Sequence, residues 1–195
     1  MKYLFLIMFL FISIFSFGQN ERWDKDNYIY SNYEYGFSWT LPNEVSWKII
    51  TGTEKHTVFK AFQPDTYINV FVNANKIEGK NKSKYDISDI YNYIIEKSDS
   101  IDKVVEINTG IKTISHKFKK CLFCGQNAYK SYQHTMLKDD RYDDPIEFIS
   151  TSYYYIYKGI SYAVTIKMHK NVYDYEGAND FINEIFRGYT IVNKY

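Results

Sequence analysis

Two alternating strands joined by a two-residue turn constrain the fold of this chain more than any other feature. Aromatic and β-branched residues recur at every second position on both sides of Lys158-Gly159. This pattern is typical of a β-hairpin, because glycine supplies the positive φ that a tight turn requires. Closing the turn predicts four cross-strand pairs: Tyr157 with Ile160, Tyr155 with Tyr162, Tyr153 with Val164, and Thr151 with Ile166.

The hairpin predicts which side chains are buried. We expect its tyrosine-rich and aliphatic face to lie in the core, namely Ile149, Thr151, Tyr153, Tyr155, Tyr157, Ile160, Tyr162, Val164, Ile166 and Met168. The opposite face is polar and carries Ser150, Ser152, Ser161, Thr165 and Lys167. The chain has 21 tyrosines, and four of them lie on this face. Because tyrosine favours strands and cores, we interpret most of the tyrosines as structural rather than as a binding surface.

Hydrophobic periodicity predicts further elements on both sides of the hairpin. Four early strands are expected to form one antiparallel meander, over residues 37–41, 45–49, 57–62 and 67–75. Later strands are expected to begin near Val104 and to cover 112–118, 128–137 and 147–157. One helix is predicted from the N-cap Asp86, with Asp89 completing a capping box, to about Ser100. A second covers 176–187, followed by a terminal strand or extended tail at 189–192.

The N-terminus has the features of an export signal. Lys2 precedes an apolar run over residues 4–17, which is shorter than the roughly 20 residues of a membrane span. We therefore predict a signal peptide over 1–18 that is cleaved after Gly18, an exported protein in the periplasm or outside the cell, and no membrane span after cleavage. The remainder is expected to be a loose leader over 19–32 and a single domain over 33–195.

Charge and composition exclude several classes of protein. The 24 Lys and Arg residues balance 23 Asp and Glu residues, for a net charge of +1. A protein that binds nucleic acid through phosphates normally carries a clear basic excess, so no nucleic-acid partner is predicted. The 45% hydrophobic and 24% charged fractions exclude a disordered chain.

Two cysteines three residues apart are the sharpest local chemical signal. In an exported protein, Cys121 and Cys124 could form a small structural disulfide, a redox pair or half of a metal site. A thioredoxin-like site places its second cysteine at the start of a helix, whereas Gly125 and its neighbours indicate a turn into a strand. No second CxxC pair exists for zinc. A possible disulfide, or inert thiols, is therefore favoured.

The remaining polar clusters predict no catalytic, cofactor-binding or metal-binding residues. Four carboxylates lie close together in the chain, at Asp139, Asp140, Asp143 and Asp144, but their spacing does not match a calcium loop. The four histidines are scattered at His56, His116, His134 and His169. His116 and His134 could face each other if their strands pair. These patterns favour a protein that is not an enzyme, although a dispersed site would leave no local motif.

Several segments together resemble PsbP-like domains. The resemblance lies in residues 33–42, which run from Tyr33-Glu34-Tyr35-Gly36-Phe37 to Pro42, and in Val45-Ser46-Trp47. It continues in Gly125-Gln126-Asn127-Ala128, in the hairpin over 153–166, and in Phe181-Ile182-Asn183-Glu184-Ile185. PsbP-like domains share their fold with a Ran-binding Mog-type nuclear protein and with bacterial DcrB-like proteins.

This resemblance implies both a fold and a kind of function. The implied fold is α+β, an α/β/α sandwich with an antiparallel sheet flanked by helices. Members of this group mostly bind other proteins or help to assemble complexes, and some secretion-linked relatives cradle hydrophobic helices of their clients. The leading hypothesis is an exported, non-enzymatic accessory domain that binds a protein or a hydrophobic segment. The alternatives are a thiol–disulfide or hydrolytic enzyme with a dispersed site, and an immunity or inhibitor protein.

Overall fold

The computed structural model describes residues 20–50, 56–78, 86–139, 141 and 143–192. The predicted signal peptide over residues 1–18 lies outside these residues. The described chain divides into two compact units. The first comprises residues 20–43 and 184–192, and the second comprises the described residues of 44–183.

The first unit contains a four-stranded antiparallel sheet. Its strands are β1 (Glu21–Asp24), β2 (Ile29–Asn32), β3 (Phe37–Thr40) and, at the end of the chain, β11 (Tyr189–Ile191), in the order β1-β2-β3-β11. The expectation of a loose leader over 19–32 is therefore wrong, since β1 and β2 lie within it and Tyr30 is only 1% exposed. Alternation in the short segment that forms β2 is too brief to stand out from the polar residues around it.

Aromatic side chains and one backbone contact hold this sheet together. The rings of Phe37 and Tyr189 stack with centroids 5.5 Å apart, and Trp39 meets Tyr189 edge-on at 5.3 Å. Trp39 Nε1 also donates a hydrogen bond to the carbonyl oxygen of Ile185 at 2.8 Å. Thr40 N donates to Gly188 O at 2.9 Å, which brings the two backbones close together.

The second unit contains a seven-stranded antiparallel sheet. Its strands are β4 (Lys48–Ile50), β5 (Thr57–Gln63), β6 (Ile68–Lys76), β7 (Ile111–Phe123), β8 (Gln126–Leu137), β9 (Ile146–Tyr157) and β10 (Ile160–His169). Their order in the sheet is β4-β5-β6-β10-β9-β8-β7. The predicted four-strand meander is correct only for β4, β5 and β6, because β3 pairs in the other sheet.

The predicted hairpin is confirmed in register. Tyr157 pairs with Ile160, Tyr155 with Tyr162, Tyr153 with Val164, and Thr151 with Ile166. The turn residues have φ of 48° at Lys158 and 72° at Gly159, the positive values that a two-residue turn needs. The expected core face is mostly buried, and the rings of Tyr155 and Tyr162 stack at 4.7 Å. On the polar face, Ser152 and Thr165 are also buried and hydrogen-bond at 2.8 Å.

The first helix, α1, covers Ile87–Thr109. It begins where predicted, and Asp86 N donates to the Asp89 carboxylate at 3.2 Å in the capping box. The expectations that it ends near Ser100 and that a strand begins near Val104 are wrong. The helix continues because its first strong stop signal is Gly110, whose φ of 70° makes it the left-handed C-cap.

Helix α1 covers one face of the second sheet. The ring of Tyr91 stacks on that of Tyr129 in β8 at 3.8 Å and meets Phe118 of β7 edge-on at 6.0 Å. We call this the helix face. The opposite, core face is the more apolar one, and its central residues Val70, Val72 and Val164 are fully buried.

Two further helices follow the hairpin. They are the short α2 (Lys170–Tyr173), which the sequence did not predict, and α3 (Ala178–Arg187), which lies within the predicted range. The expected terminal strand is β11. Two antiparallel sheets accompanied by helices confirm the predicted α+β sandwich.

Candidate functional site

Strand β7 forms one edge of the seven-stranded sheet, because it pairs with β8 and with no other described residues. Its 13 residues include no Asp or Glu and four lysines, Lys112, Lys117, Lys119 and Lys120. The surrounding sequence is also basic, since residues 107–138 contain six lysines and no acidic residue. This edge therefore offers strand backbone and positive charge together.

Three of these basic side chains form a cluster at the edge of the core face. Lys119 lies directly opposite Lys130 of β8, and Lys130 lies opposite Tyr153 of β9. Lys119, Lys130 and Tyr153 therefore share one face of the sheet. Lys117 is two residues from Lys119 and points to the same side; both are exposed. We call Lys117, Lys119 and Lys130 the lysine cluster.

The cluster contains an unfavourable pair. Like charges directly opposite each other, as in Lys119 and Lys130, destabilise a sheet. The Nζ atom of Lys130 lies 5.4 Å from the ring centroid of Tyr153, and this cation–π contact offsets part of the repulsion. Tyr153 is itself held by stacking on Phe123 at 4.2 Å. β7 itself has no acidic residue to neutralise these positive charges.

The C-terminal part of α1 exposes apolar side chains beside this strand. Ile107 is 83% exposed and Val104 is 56% exposed, and the two lie three residues apart on one side of the helix. Val105 is also exposed, as is Ile114 at the start of β7, which α1 contacts. We call Val104, Val105 and Ile107 the apolar helix end. Clustered apolar exposure makes the apolar helix end a candidate interaction site.

A cleft of about 820 Å³ lies elsewhere in the second unit. Its described lining residues are Tyr67, Asp144, Pro145, Ile146, Glu147, His169, Lys170, Asn171 and Asp174. Glu147 is hydrogen-bonded to His134 Nε2 at 2.6 Å, and Lys170 forms an ion pair with Asp174. Burial, with Lys167 nearby, lowers the pKa of His169. Because its main charges are already paired within the protein, the cleft is a weaker binding candidate than the lysine cluster.

A buried serine–histidine pair lies on the helix face. His116 Nε2 lies 2.9 Å from Ser131 Oγ, the distance expected of a nucleophile and its base. Ser131 is only 2% exposed, so its hydroxyl cannot meet a substrate in this state. His116 Nδ1 is buried without a hydrogen-bond partner among the described residues, so no acid orients the ring. Burial lowers the pKa of His116. The His116–Ser131 pair is therefore part of the packing between α1 and the sheet.

The two cysteines lie at the β7–β8 turn. Cys121 lies two residues before the end of β7, and Cys124 takes the first turn position with φ of 50°, followed by Gly125. Both are thiols in the structure, and burial raises the pKa of each, to about 11 for Cys124. A thiol with a raised pKa is a poor nucleophile, which weighs against the redox hypothesis. The disulfide between Cys121 and Cys124 stays a prediction.

The acidic segment after β8 binds its own arginine. Asp139 accepts a hydrogen bond from Arg141 Nε at 2.9 Å, and this contact lowers the pKa of Asp139 to about 2. Asp140 lies outside the described residues, and Asp143 and Asp144 are exposed. Within the part of the chain that the structure describes, no three His, Cys, Asp or Glu residues converge in a metal-binding arrangement.

The histidines do not form a common site. Strands β7 and β8 do pair, but His116 is opposite Gln133 and His134 is opposite Ser115. Neighbours along a strand point to opposite faces, so His116 lies on the helix face and His134 on the core face. The possibility that these two histidines face each other is therefore wrong. His56 is exposed, and His169 lines the cleft.

The sequence analysis predicted neither the lysine cluster nor the apolar helix end. A signal for the lysine cluster was available, because an acid-free run of 32 residues with six lysines is unusual in a nearly neutral chain. The apolar helix end could not be seen once residues near Val104 were assigned to a strand. Whether a strand lies at an edge depends on the order of the whole sheet.

Comparison with known proteins identifies the fold. The structure is similar to cyanobacterial PsbP (CyanoP) from Synechocystis, with a TM-score of 0.53 and 12% identity. The match covers 84% of this chain and 91% of CyanoP. No family model matches the sequence, and no curated protein matches it significantly. The PsbP-like fold predicted from the sequence is confirmed.

Two further solved structures are similar at lower scores. LpqN, involved in cell envelope biogenesis of Mycobacterium tuberculosis, gives a TM-score of 0.48 at 9% identity, over 80% of this chain and 83% of LpqN. The Ran-binding protein Mog1p of Saccharomyces cerevisiae gives 0.44 at 9% identity, over 90% of this chain and 97% of Mog1p.

Among the described residues, no helix is both long and apolar enough to cross a membrane.

Proposed function

We propose that this chain is an exported accessory domain that binds another protein through the apolar helix end. The observation that carries the proposal is the exposure of Ile107 and Val104, at 83% and 56%, on one side of α1. Exposed aliphatic residues in a cluster lose contact with water when a partner covers them, and this burial contributes about 25 cal/mol per Å². The PsbP-like fold supports a binding role only as an analogy.

Export is part of this proposal. It rests on the positive residue and short apolar run at the N-terminus, which fit a cleaved signal peptide over residues 1–18. N-terminal sequencing of the protein recovered from its own cells should find Gln19 first. A mature chain that still begins at Met1 would contradict cleavage.

Binding is tested by capture with matched surface variants. The full chain with a C-terminal affinity tag is expressed in its native cell, crosslinked and recovered from the envelope fraction. Wild type and the control Tyr175→Glu should retain the same partner, because Tyr175 is exposed but lies outside α1. Ile107→Glu and Val104→Glu should each reduce the recovered partner at least about fivefold, which is the effect of losing roughly 1 kcal/mol.

Folding controls keep the result interpretable. Substitutions at exposed sites usually change the free energy of unfolding by less than about 0.5 kcal/mol, so all three variants should unfold at the wild-type temperature. Equal recovery of the partner with wild type and Ile107→Glu would contradict the proposed surface. Flotation of the chain with lipid vesicles, lost in Ile107→Glu, would instead show that the apolar helix end contacts a membrane.

A further inference from the structure

We infer that β7 pairs with an extended segment of the partner protein in which acidic residues alternate with apolar ones. This inference rests on the proposed function and adds how the partner is recognised. It starts from the position of β7 at the edge of the sheet, where it pairs with β8 alone among the residues that the structure describes. The main-chain N–H and C=O groups along such an edge can extend the sheet by one more strand.

The geometry of β7 sets the length of the added strand. A register shift lies between Thr113 and Ser115, but from Ser115 to Phe123 the strand pairs residue by residue with β8. These nine residues form a continuous edge of about 30 Å, at about 3.4 Å per residue. An incoming strand of about nine residues therefore fits.

The positive charge of β7 favours pairing with an acidic partner strand over pairing with β7 of a second copy of this chain. Two copies of β7 side by side would bring together eight lysines and no acid, since each strand has four. Lys119 already faces Lys130 across the sheet, so another lysine-bearing strand would add repulsion. A Glu or Asp on the incoming strand would instead make opposite-charge pairs with Lys117 and Lys119.

The two faces of β7 explain why the partner segment should alternate acidic residues with apolar ones. Lys117 and Lys119 project from the core-face side, whereas Lys120 and Leu122 project from the helix face. Lys120 Nζ lies 5.9 Å from the ring centroid of Tyr129, and Leu122 is 71% exposed. Successive side chains of a strand point to opposite faces. An added strand with acids on one face therefore presents its other residues beside Leu122, where apolar side chains bury the most surface.

A nine-residue peptide that alternates Val and Glu tests the inference. Its fluorescein-labelled form is titrated with the purified full chain at 150 mM salt, and the anisotropy gives the dissociation constant. Lys117→Glu/Lys119→Glu should weaken binding at least about tenfold. The control Lys48→Glu/Lys76→Glu makes the same charge change at exposed residues of β4 and β6, which β10, β9 and β8 separate from β7, and should alter binding less than about twofold.

Peptide variants separate strand pairing from charge attraction. Methylating alternate backbone nitrogens keeps every carboxylate but removes the donors that a new strand needs, and should abolish binding. Replacing Glu by Lys should do the same. Hydrogen exchange at β7 amides should slow when the Val–Glu peptide binds.

Any one of four results would overturn the inference. Equal binding of the methylated peptide would show ion pairing without strand addition. Equal weakening by the control double variant would show attraction to overall charge. Tighter binding of a 12-nucleotide oligothymidylate would show that the lysines serve a nucleic acid. If no peptide binds while Ile107→Glu still reduces partner capture, strand addition fails and the proposed function stands.

Discussion

Replacing Gly188 by alanine tests the closest backbone contact of the four-stranded sheet. A β-carbon at this position would lie 1.9 Å from the Thr40 carbonyl oxygen and 3.0 Å from its carbonyl carbon. Real contacts of this kind are essentially never below 3.0 Å, so the two backbones must separate by about 3.0 − 1.9 = 1.1 Å. Neither atom belongs to a side chain that can rotate away.

The expected loss of stability follows from the contacts that this separation would weaken. Thr40 N donates to Gly188 O at 2.9 Å, and the next residues, Trp39 and Tyr189, pair in the sheet with their rings in contact. Overpacking costs about 1–3 kcal/mol and a weakened hydrogen bond about 1 kcal/mol. We therefore expect Gly188→Ala to lower the free energy of unfolding by about 2–4 kcal/mol.

Thermal unfolding followed by circular dichroism measures this loss. In a chain of this size each kcal/mol lowers the Tm by about 2–4 °C, so the Tm should fall by about 4–16 °C. The control is Gly125→Ala, since Gly125 has φ of +74° but nothing within 4 Å of an added β-carbon. It bears only left-handed strain of about 1–2 kcal/mol. A Tm for Gly188→Ala within about 2 °C of wild type would refute the close approach.

Three further predictions concern buried polar groups. Trp39→Phe leaves the Ile185 carbonyl without its indole donor and should lower the unfolding free energy by about 1–3 kcal/mol in urea; an unchanged midpoint would contradict the contact. Because burial lowers the pKa of His116 below its ordinary 6.5, the unfolded chain binds more protons, so stability should fall as the pH drops below about 6.5. His116→Gln should reduce that fall, and an identical pH profile would contradict it. Cys121 and Cys124 should react with iodoacetamide at pH 8 more slowly in the native chain than in urea, and faster native reaction would contradict their raised pKa values.

The hairpin was predictable because its information is local. Alternation fixes which face of each strand is buried, and Lys158-Gly159 fixes the register, so Tyr155 could be placed opposite Tyr162 from sequence alone. The start of α1 was predictable for the same reason, since Asp86 and Asp89 lie three residues apart and satisfy each other's backbone donors.

The end of α1 was not predictable from propensity. Val104 and Val105 are β-branched, which favours a strand assignment, yet no glycine or proline interrupts the helix before Gly110. Their exposure is also a tertiary property. The periodicity of a helix shows which residues share a side, but not whether a partner covers that side.

The candidate site depends on sheet order, which the sequence does not encode locally. The same alternating pattern would suit β7 in the centre of a sheet or at its edge. Only the order β4-β5-β6-β10-β9-β8-β7 shows that Lys117 and Lys119 lie on an open edge. Likewise, β1 pairs with β2 and β2 pairs with β3, and neither contact can be predicted from the residues of these short strands alone.

Site-specific photo-crosslinking in the native cell tests the central claim most directly. The photoreactive residue benzoylphenylalanine replaces Ile107 in one variant and Tyr175 in another, since both side chains are exposed. Illumination should join the chain to one discrete partner protein from position 107 and not from position 175. Adducts of equal yield from both positions, or none from position 107, would contradict a binding surface at the apolar helix end.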